Sequence, residues 1–457
     1  MIMNPEGRAV RIQLSDIKSP QMRAFHMSWM AFFLAFFGWF GIAPLMAVVR
    51  DELSLSKEQI GNIMIASVAI TIVSRLFIGW LCDRIGPRKS YSWLLILGSL
   101  PVMGIGLADS YQSFLLFRLA IGVIGASFVI TQYHTSLMFA PNCVGTANAT
   151  TAGWGNLGGG VTQIIMPLLF SALLSLGANA YAGWRIAMVI PGIALLIMGF
   201  AYRFCTQDTP QGNLTDLRTS GEQPHAHEHR GAMWAAIKDH RVWALFVVYG
   251  ACFGIELTIN NVAALYFHDS FHLSVSQAGL IAGLFGLMNI FARTLGGVFG
   301  DRAGIRFGLR GRVAFLGITL AAEGAFLMLF ARMNILPLAI VTLVLFSLFV
   351  QMAEGATFSV VPFINRRALG VVSGIVGAGG NAGAVAAGFL FRANGISTQQ
   401  ALFILGITVA ATSILTTLVR FNEADEAATR QAIDASLQAR GPTPAPAPTA
   451  GEIVPAN

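Results

Sequence analysis

The stretch Arg75-Leu-Phe-Ile-Gly79-Trp-Leu-Cys-Asp83-Arg84-Ile-Gly86 has a counterpart far along the chain, Arg293-Thr-Leu-Gly-Gly297-Val-Phe-Gly-Asp301-Arg302-Ala-Gly304. The arginine, the first glycine, the Asp-Arg pair and the last glycine fall in the same register. Each copy is an apolar run that ends in a charged loop, which reads as a helix leaving hydrocarbon at its Asp-Arg end. A second pair repeats in the same order. Gly145 leads to Asn156 within Gly153-Trp-Gly-Asn156-Leu-Gly-Gly-Gly160, and Gly370 leads to Asn381 within Gly377-Ala-Gly-Gly-Asn381-Ala-Gly383. Matching motifs at matching offsets mean a duplicated unit.

Composition agrees with a lipid solvent. Of 457 residues, 55% are hydrophobic and only 11% charged, where a soluble domain carries about 25% charged residues. Apolar runs recur at about 24–48, 58–81, 90–108, 111–140, 145–176, 181–204, 240–268, 274–300, 310–331, 335–364, 368–393 and 398–421. They are long enough to cross a hydrocarbon core and too continuously apolar for barrel strands. The expected fold is an all-α membrane protein of twelve transmembrane helices in two pseudo-symmetric halves. The expected parts are an N-terminal segment 1–23, one half at 24–204, a linker 205–239, the other half at 240–421, and a disordered tail 422–457.

The net charge of +7 is no nucleic-acid footprint, because the basic residues sit in alternate short loops. Arg84, Arg88 and Lys89 follow span two, Arg302, Arg306, Arg310 and Arg312 follow span eight, and Arg366 and Arg367 follow span ten. The positive-inside rule then places both termini in the cytoplasm. Residues 1–23 are polar and carry four basic residues before the first run, so that run is expected to stay as an uncleaved helix of the inner (plasma) membrane. Cys82, Cys143, Cys205 and Cys252 lack disulfide or metal spacing. His225, His227 and His229 alternate in a polar linker, which reads as solvated chain, so no metal or other cofactor is expected.

Arg75 and Arg293 each stand eight residues before an aspartate, about 12 Å inward along a helix. A guanidinium there costs at least about 2.5–3.5 kcal/mol on insertion scales, and no acid lies within a turn on either helix. Two readings compete. One is a structural ion pair with Glu256, Glu323 or Glu354. The other is a central cavity in which both arginines bind an anion, their planar forks suiting a planar oxyanion. Asn156 and Asn381 offer amide donors within glycine runs, where Gly155 and Gly379 would let backbone approach a ligand. Close helix packing is the competing account of those glycines. Phe128, Tyr249 and Phe253 are candidates for the cavity wall.

The doubled Gly-x-x-x-Asp-Arg-x-Gly pattern, with Arg118, Gly122 and Gly125 in span four, resembles the major facilitator superfamily. The runs Ala152–Gln163, Gly355–Phe358, Val361–Phe363, Arg367–Gly374 and Gly377–Gly383, with Asn289–Arg293, resemble the nitrate/nitrite porter family, especially its high-affinity uptake branch. The resemblance implies that Arg75 and Arg293 clamp nitrate, that Asn156 and Asn381 lie in the nitrate motifs, and that Phe128, Tyr249 and Phe253 supply the aromatic faces. Nitrite is planar too and stays open as a second substrate. The implied partners are nitrate and protons in a lipid bilayer, and the expected working unit is a monomer.

Two arginines without an anion would bury a charge of about +2, so an empty carrier should return poorly unless compensated. Counter-transport of nitrite is one remedy and proton coupling another, with Glu256, Glu354 and His134 as candidate proton carriers. Asp83, Arg84 and Arg88, with their counterparts Asp301, Arg302 and Arg306, are expected to latch helices as the halves rock. The expected function is proton-coupled nitrate import, with nitrate/nitrite exchange as the alternative within transporters. A membrane nitrate sensor is disfavoured, since the linker and tail carry no recognisable output domain. An enzyme is disfavoured because no nucleophile–base or metal-ligand set stands out.

Overall fold

The computed structural model describes residues 2–4, 6–219, 229–365, 368–393 and 395–440. His225, His227, Arg366, Arg367 and the Pro/Ala-rich end of the tail lie outside them. Among the described residues the chain is helical, with isolated bridges in place of sheet.

Eleven segments are long and apolar enough to cross a membrane: α1 Pro20–Glu52, α2 Lys57–Ile85, α3 Pro87–Leu107, α4 Tyr111–Met138, α5 Val144–Ser175, α6 Ala180–Cys205, α7 His240–Phe271, α8 Ser276–Phe330, α9 Leu336–Phe363, α10 Leu369–Arg392 and α11 Thr398–Leu418. Expected spans eight and nine fall together in α8, which runs 55 residues. The charged stretch expected as a loop is helical up to Gly308, whose φ of 73° and ψ of −163° break the rod. Only glycine adopts that backbone without strain.

Helix starts are written locally. Ser56 and Gln59 form a capping box at α2, and Ser274 with Gln277 forms the same box at the matching helix of the other half. This Ser-x-x-Gln repeat is a further mark of duplication that the sequence reading passed over. Ser19 caps α1 ahead of Pro20 at the first helical position.

The described residues before α1 and those just after α11 lie on one face. Ala9 pairs with Phe139 after α4, and Arg241 at the start of α7 lies 3.5 Å from Asp425 beyond α11. Residues 423–440, expected without structure, form a helix, Glu423–Arg440. Its Glu426 carboxylate accepts from Leu309 N at 2.8 Å and Arg310 N at 3.1 Å, capping the helix that restarts after Gly308. The linker likewise contains helices Leu214–Thr219 and His229–Lys238.

Two pseudo-equivalent seams join the halves. A Cβ on Gly79 of α2 would lie 2.8 Å from the Gly370 carbonyl of α10. A Cβ on Gly297 of α8 would lie 2.7 Å from the Gly145 carbonyl of α5. Helices this close need small residues at the crossing.

Candidate functional site

Both arginines are fully buried, and they meet at one pair of rings. The Arg75 guanidinium carbon is 5.0 Å from the Phe128 centroid and 4.8 Å from that of Phe253. For Arg293 the distances are 5.5 and 5.8 Å. The two guanidinium carbons therefore lie no more than about 10.5 Å apart, and both sit within cation–π reach. Phe128, Tyr249 and Phe253 form one stack, with centroids 5.0–5.6 Å apart and tilts of 13–23°. At that spacing the rings touch one another, since offset-stacked aromatics stand about 4.5–7 Å apart. Phe358 closes the stack edge-on, 4.9 Å from Phe128 and 5.1 Å from Tyr249.

Two helices change geometry at the site. α4 tightens to a 3₁₀ turn over Gly122–Ala126, just before Phe128. α8 does so over Met288–Ile290, just before Arg293. Each irregular turn frees polar groups within the membrane zone, a pattern tolerated where helices border a polar site. Arg75 Nε donates to Gly125 O at 3.2 Å in the first turn, and its Nη1 donates to Gly377 O in the glycine run of α10. Asn289 in the second turn donates to Glu256 Oε1 at 2.8 Å.

The two arginines differ in company. Arg293 Nη1 donates to Glu354, lies 3.7 Å from Glu256 Oε2, and Nη2 donates to the Tyr249 hydroxyl at 2.9 Å. Asn156 ties the acids together, donating to Glu256 Oε2 at 2.7 Å and reaching Glu354 Oε2 at 3.4 Å. Arg75 is held by carbonyls. Each arginine keeps one buried nitrogen, Arg75 Nη2 and Arg293 Nε, without a hydrogen-bond partner among the described residues. The ion-pair reading of the sequence thus holds for Arg293, while the Arg75 bonds named here go to carbonyls. The expected charge of about +2 is corrected, because Glu256 and Glu354 belong to the same cluster and offset it when ionised.

Other candidates sort cleanly. Asn381 donates to Val68 O at 3.2 Å, where its counterpart Asn156 binds carboxylates. Gly155 packs against the Phe32 ring and Gly379 against the Phe246 carbonyl, so at these two positions the close-packing account holds and the expected ligand approach does not. It is Gly377 whose carbonyl comes into the cluster. His134 bonds the Tyr202 hydroxyl at 2.6 Å and Gln207 O at 2.8 Å, and neither contact touches the arginines.

Both ends of the cluster are closed by contacts between halves. On the face of the chain ends, Asp301 Oδ2 accepts from Thr146 N at 2.7 Å and Thr146 Oγ1 at 2.6 Å, at the start of α5. Its Oδ1 accepts from buried Arg312 at 2.6 Å. Asp83 mirrors it: a Cβ on Gly370, at the start of α10, would lie 2.8 Å from both Asp83 oxygens. Arg84, Arg302 and Arg306 lie over Trp80, Phe299 and Phe307 of their own helices, and Arg88 N donates to Asp208 at 2.9 Å. On the opposite face Arg392 pairs with Glu58 at 2.6 Å and Arg50 with Asp269 at 3.7 Å. Sequence reading missed Arg312, Asn289 and Phe358 as members of these groups. The Asn289–Arg293 and Gly355–Phe358 runs were the available signal.

The Major Facilitator Superfamily model matches residues 28–364 and 256–449. A high affinity nitrate transporter 2.5 of Arabidopsis thaliana is 40% identical over 420 residues, covering 92% of this chain and 84% of its own. The chain belongs to the nitrate/nitrite porters of the major facilitator superfamily. Nitrate transporter 2.2 of Chlamydomonas reinhardtii is 38% identical to this porter, over 84% of the porter and 75% of the relative. A nitrate/nitrite transporter NrtP of Picosynechococcus is 29% identical, over 79% and 83%. Among solved structures, the proton:xylose symporter XylE superposes on the porter with a TM-score of 0.65 at 14% identity, covering 88% of the porter and 96% of XylE. A bacterial homolog of the lysosomal transporter Spinster, inward-facing, gives 0.61 at 18% identity, over 94% and 100%. These last two share the fold.

Proposed function

We propose that the chain is a secondary active transporter that imports nitrate with protons by alternating access, with nitrite as a second substrate. The observation that carries this reading is the convergence of Arg75 and Arg293, from pseudo-equivalent helices, on the same two aromatic rings. The 40%- and 38%-identical relatives, nitrate transporters by name, support nitrate as the anion, and the nitrate/nitrite transporter NrtP supports nitrite beside it. At 55 residues α8 would measure about 80 Å, far beyond a core of about 30 Å, so it crosses twice with its turn near Gly308. That makes twelve crossings and puts both chain ends on the cytoplasmic face of the inner (plasma) membrane, where the basic loops lie.

Coupling follows from charge. Two guanidinium groups and two carboxylates balance to neutrality whenever both acids are deprotonated, and in that state the empty cluster can reorient. Nitrate alone would bring it to −1, and nitrate with one proton restores neutrality. A proton on Glu354 loosens its hold on Arg293 Nη1 and frees that donor for nitrate, so proton and anion enter together. Opening the ring stack then admits the flat anion beside the guanidinium groups. Asp83 and Asp301 hold the cytoplasmic end shut while the opposite end opens. His134, bonded elsewhere, is left out of this route.

The test is nitrate uptake into proteoliposomes holding the purified chain, with and without an inward proton gradient and with and without nitrite inside. Accumulation driven by the gradient alone is expected. Uptake that needs internal nitrite identifies an exchanger, and binding without uptake identifies a sensor.

A further inference from the structure

Glu323 lies in the second part of α8, fully buried, and neither carboxyl oxygen has a hydrogen-bond partner among the described residues. It belongs to neither closure and touches neither arginine through any hydrogen bond. A lone ionised carboxylate without water or donors is very unfavourable. A neutral acid without a partner is still unfavourable, by about 1–3 kcal/mol. A leucine would fill that place better, so the acid brings the fold nothing.

Its surroundings point elsewhere. From α7, Glu256 and Cys252 lie within electrostatic range of Glu323, and from α9 Glu354 does. α11, which packs against this part of α8 through Gly324 and Ala410, contributes no titratable side chain. Glu323 is therefore the outlying member of three buried acids. Of the two acids near it, Glu256 acts on it the more strongly, and Glu256 is itself bound to Asn289 and Asn156 and lies 3.7 Å from Arg293. Buried ionisable groups in membrane helices that adjoin a charged site are characteristic of proton relays.

We propose that Glu323 is a proton-binding site of the transport cycle, which supplies the proton that reaches the substrate cluster through Glu256. In that step a water that enters as the halves move bridges the two acids: an O–H bond breaks on Glu323 as one forms on the water, and another O–H bond of the water breaks as one forms on a Glu256 oxygen. No other bond changes, and Glu323 regains a proton from the water on the side from which nitrate entered before the loaded halves reorient, so the loaded cluster and Glu323 cross neutral. The inference rests on the proton-coupled nitrate reading.

The experiment compares the parent with Glu323→Gln, Glu323→Asp and Glu323→Leu in proteoliposomes. Nitrate counterflow at equal pH on both sides, accumulation under an inward proton gradient, and proton uptake by a trapped pH dye are measured together. The glutamine variant is expected to keep counterflow within twofold of the parent, lose gradient-driven accumulation, and take up no proton with nitrate. Aspartate should restore accumulation in part. Leucine should unfold at a higher temperature than the parent and be equally uncoupled. Parent-like accumulation by the glutamine variant would overturn the proposal. So would loss of counterflow in a variant that nitrate still stabilises against heat, since Glu323 would then serve translocation itself. Counterflow without proton-driven accumulation in the parent would overturn proton coupling and this inference, and leave nitrate transport standing. No counterflow in the parent would overturn the nitrate reading and this inference together.

Discussion

Replacing Glu354 by glutamine separates the two roles assigned to Arg293. In the parent, nitrate and the Glu354 carboxylate compete for Arg293 Nη1. Two unit charges about 4 Å apart interact by about 4 kcal/mol at an effective dielectric near 20, and that attraction must be given up when nitrate binds against an ionised Glu354. The competition is worth about 10³ in affinity. It disappears when Glu354 takes a proton, so nitrate affinity in the parent should rise tenfold for each pH unit of acidification wherever Glu354 is ionised beforehand. Glu354→Gln should bind nitrate with a flat pH profile, and at alkaline pH bind it about 10²–10³-fold more tightly than the parent. The variant also leaves a buried guanidinium short of its counter-ion, a loss of about 3–5 kcal/mol. Its unfolding temperature should fall without ligand and recover with nitrate, and sulfate should bring no recovery. Isothermal titration calorimetry across pH, paired with thermal unfolding, reads both effects. A tenfold-per-unit slope that persists in the variant would refute the competition at Arg293.

Two further outcomes follow from the seams and closures. Asp301→Asn removes the charge that binds Arg312 and the start of α5; labelling of Cys143, just before α5, by a thiol reagent applied from the cytoplasmic side should speed up at least tenfold, and an unchanged rate would deny the closure. Gly160→Ala places a Cβ 2.6 Å from the Gly286 carbonyl carbon where α5 crosses α8; overpacking of about 1–3 kcal/mol against backbone should leave a folded protein whose nitrate counterflow falls tenfold or more, and normal counterflow would show that the halves do not need this contact.

The sequence carried the fold because its signals are local and doubled. The Asp83 and Asp301 motifs, the apolar runs and the glycine–asparagine pairs each lie within one helix, and their repetition fixes how the halves correspond. Depth was legible too, since eight residues on a helix is a length. The partners of Arg293 were legible only as candidates, Glu256, Glu323 and Glu354, any of which could have paired with either arginine or with neither. Glu354 and Glu256 sit on other helices at no telling spacing, and only the packing of α7, α8 and α9 unites them. That is why a buried charge of about +2 was expected and a compensated cluster found. Gly155 and Gly379 have the sequence neighbourhood of Asn156 and Asn381 but point elsewhere around their helices, about 100° and about 200° away, and a run of glycines conceals the face each presents. The helix Glu423–Arg440 was hidden by the Pro/Ala-rich chain that follows it, although acids in its first turn and buried Ile433 mark it.

The central claim is that Arg75 and Arg293 together hold the transported nitrate. Uptake of nitrate by Arg75→Lys and Arg293→Lys, each alone in proteoliposomes under an inward proton gradient, tests it most directly. A lysine keeps the charge and loses the planar fork. The account predicts that either substitution lowers nitrate uptake by at least about 10²-fold, the scale of losing one charge-assisted hydrogen-bond pair of about 3 kcal/mol, while the protein keeps its parent unfolding temperature within a few degrees. Parent-like uptake by either lysine variant would remove that arginine from the substrate site and contradict the account.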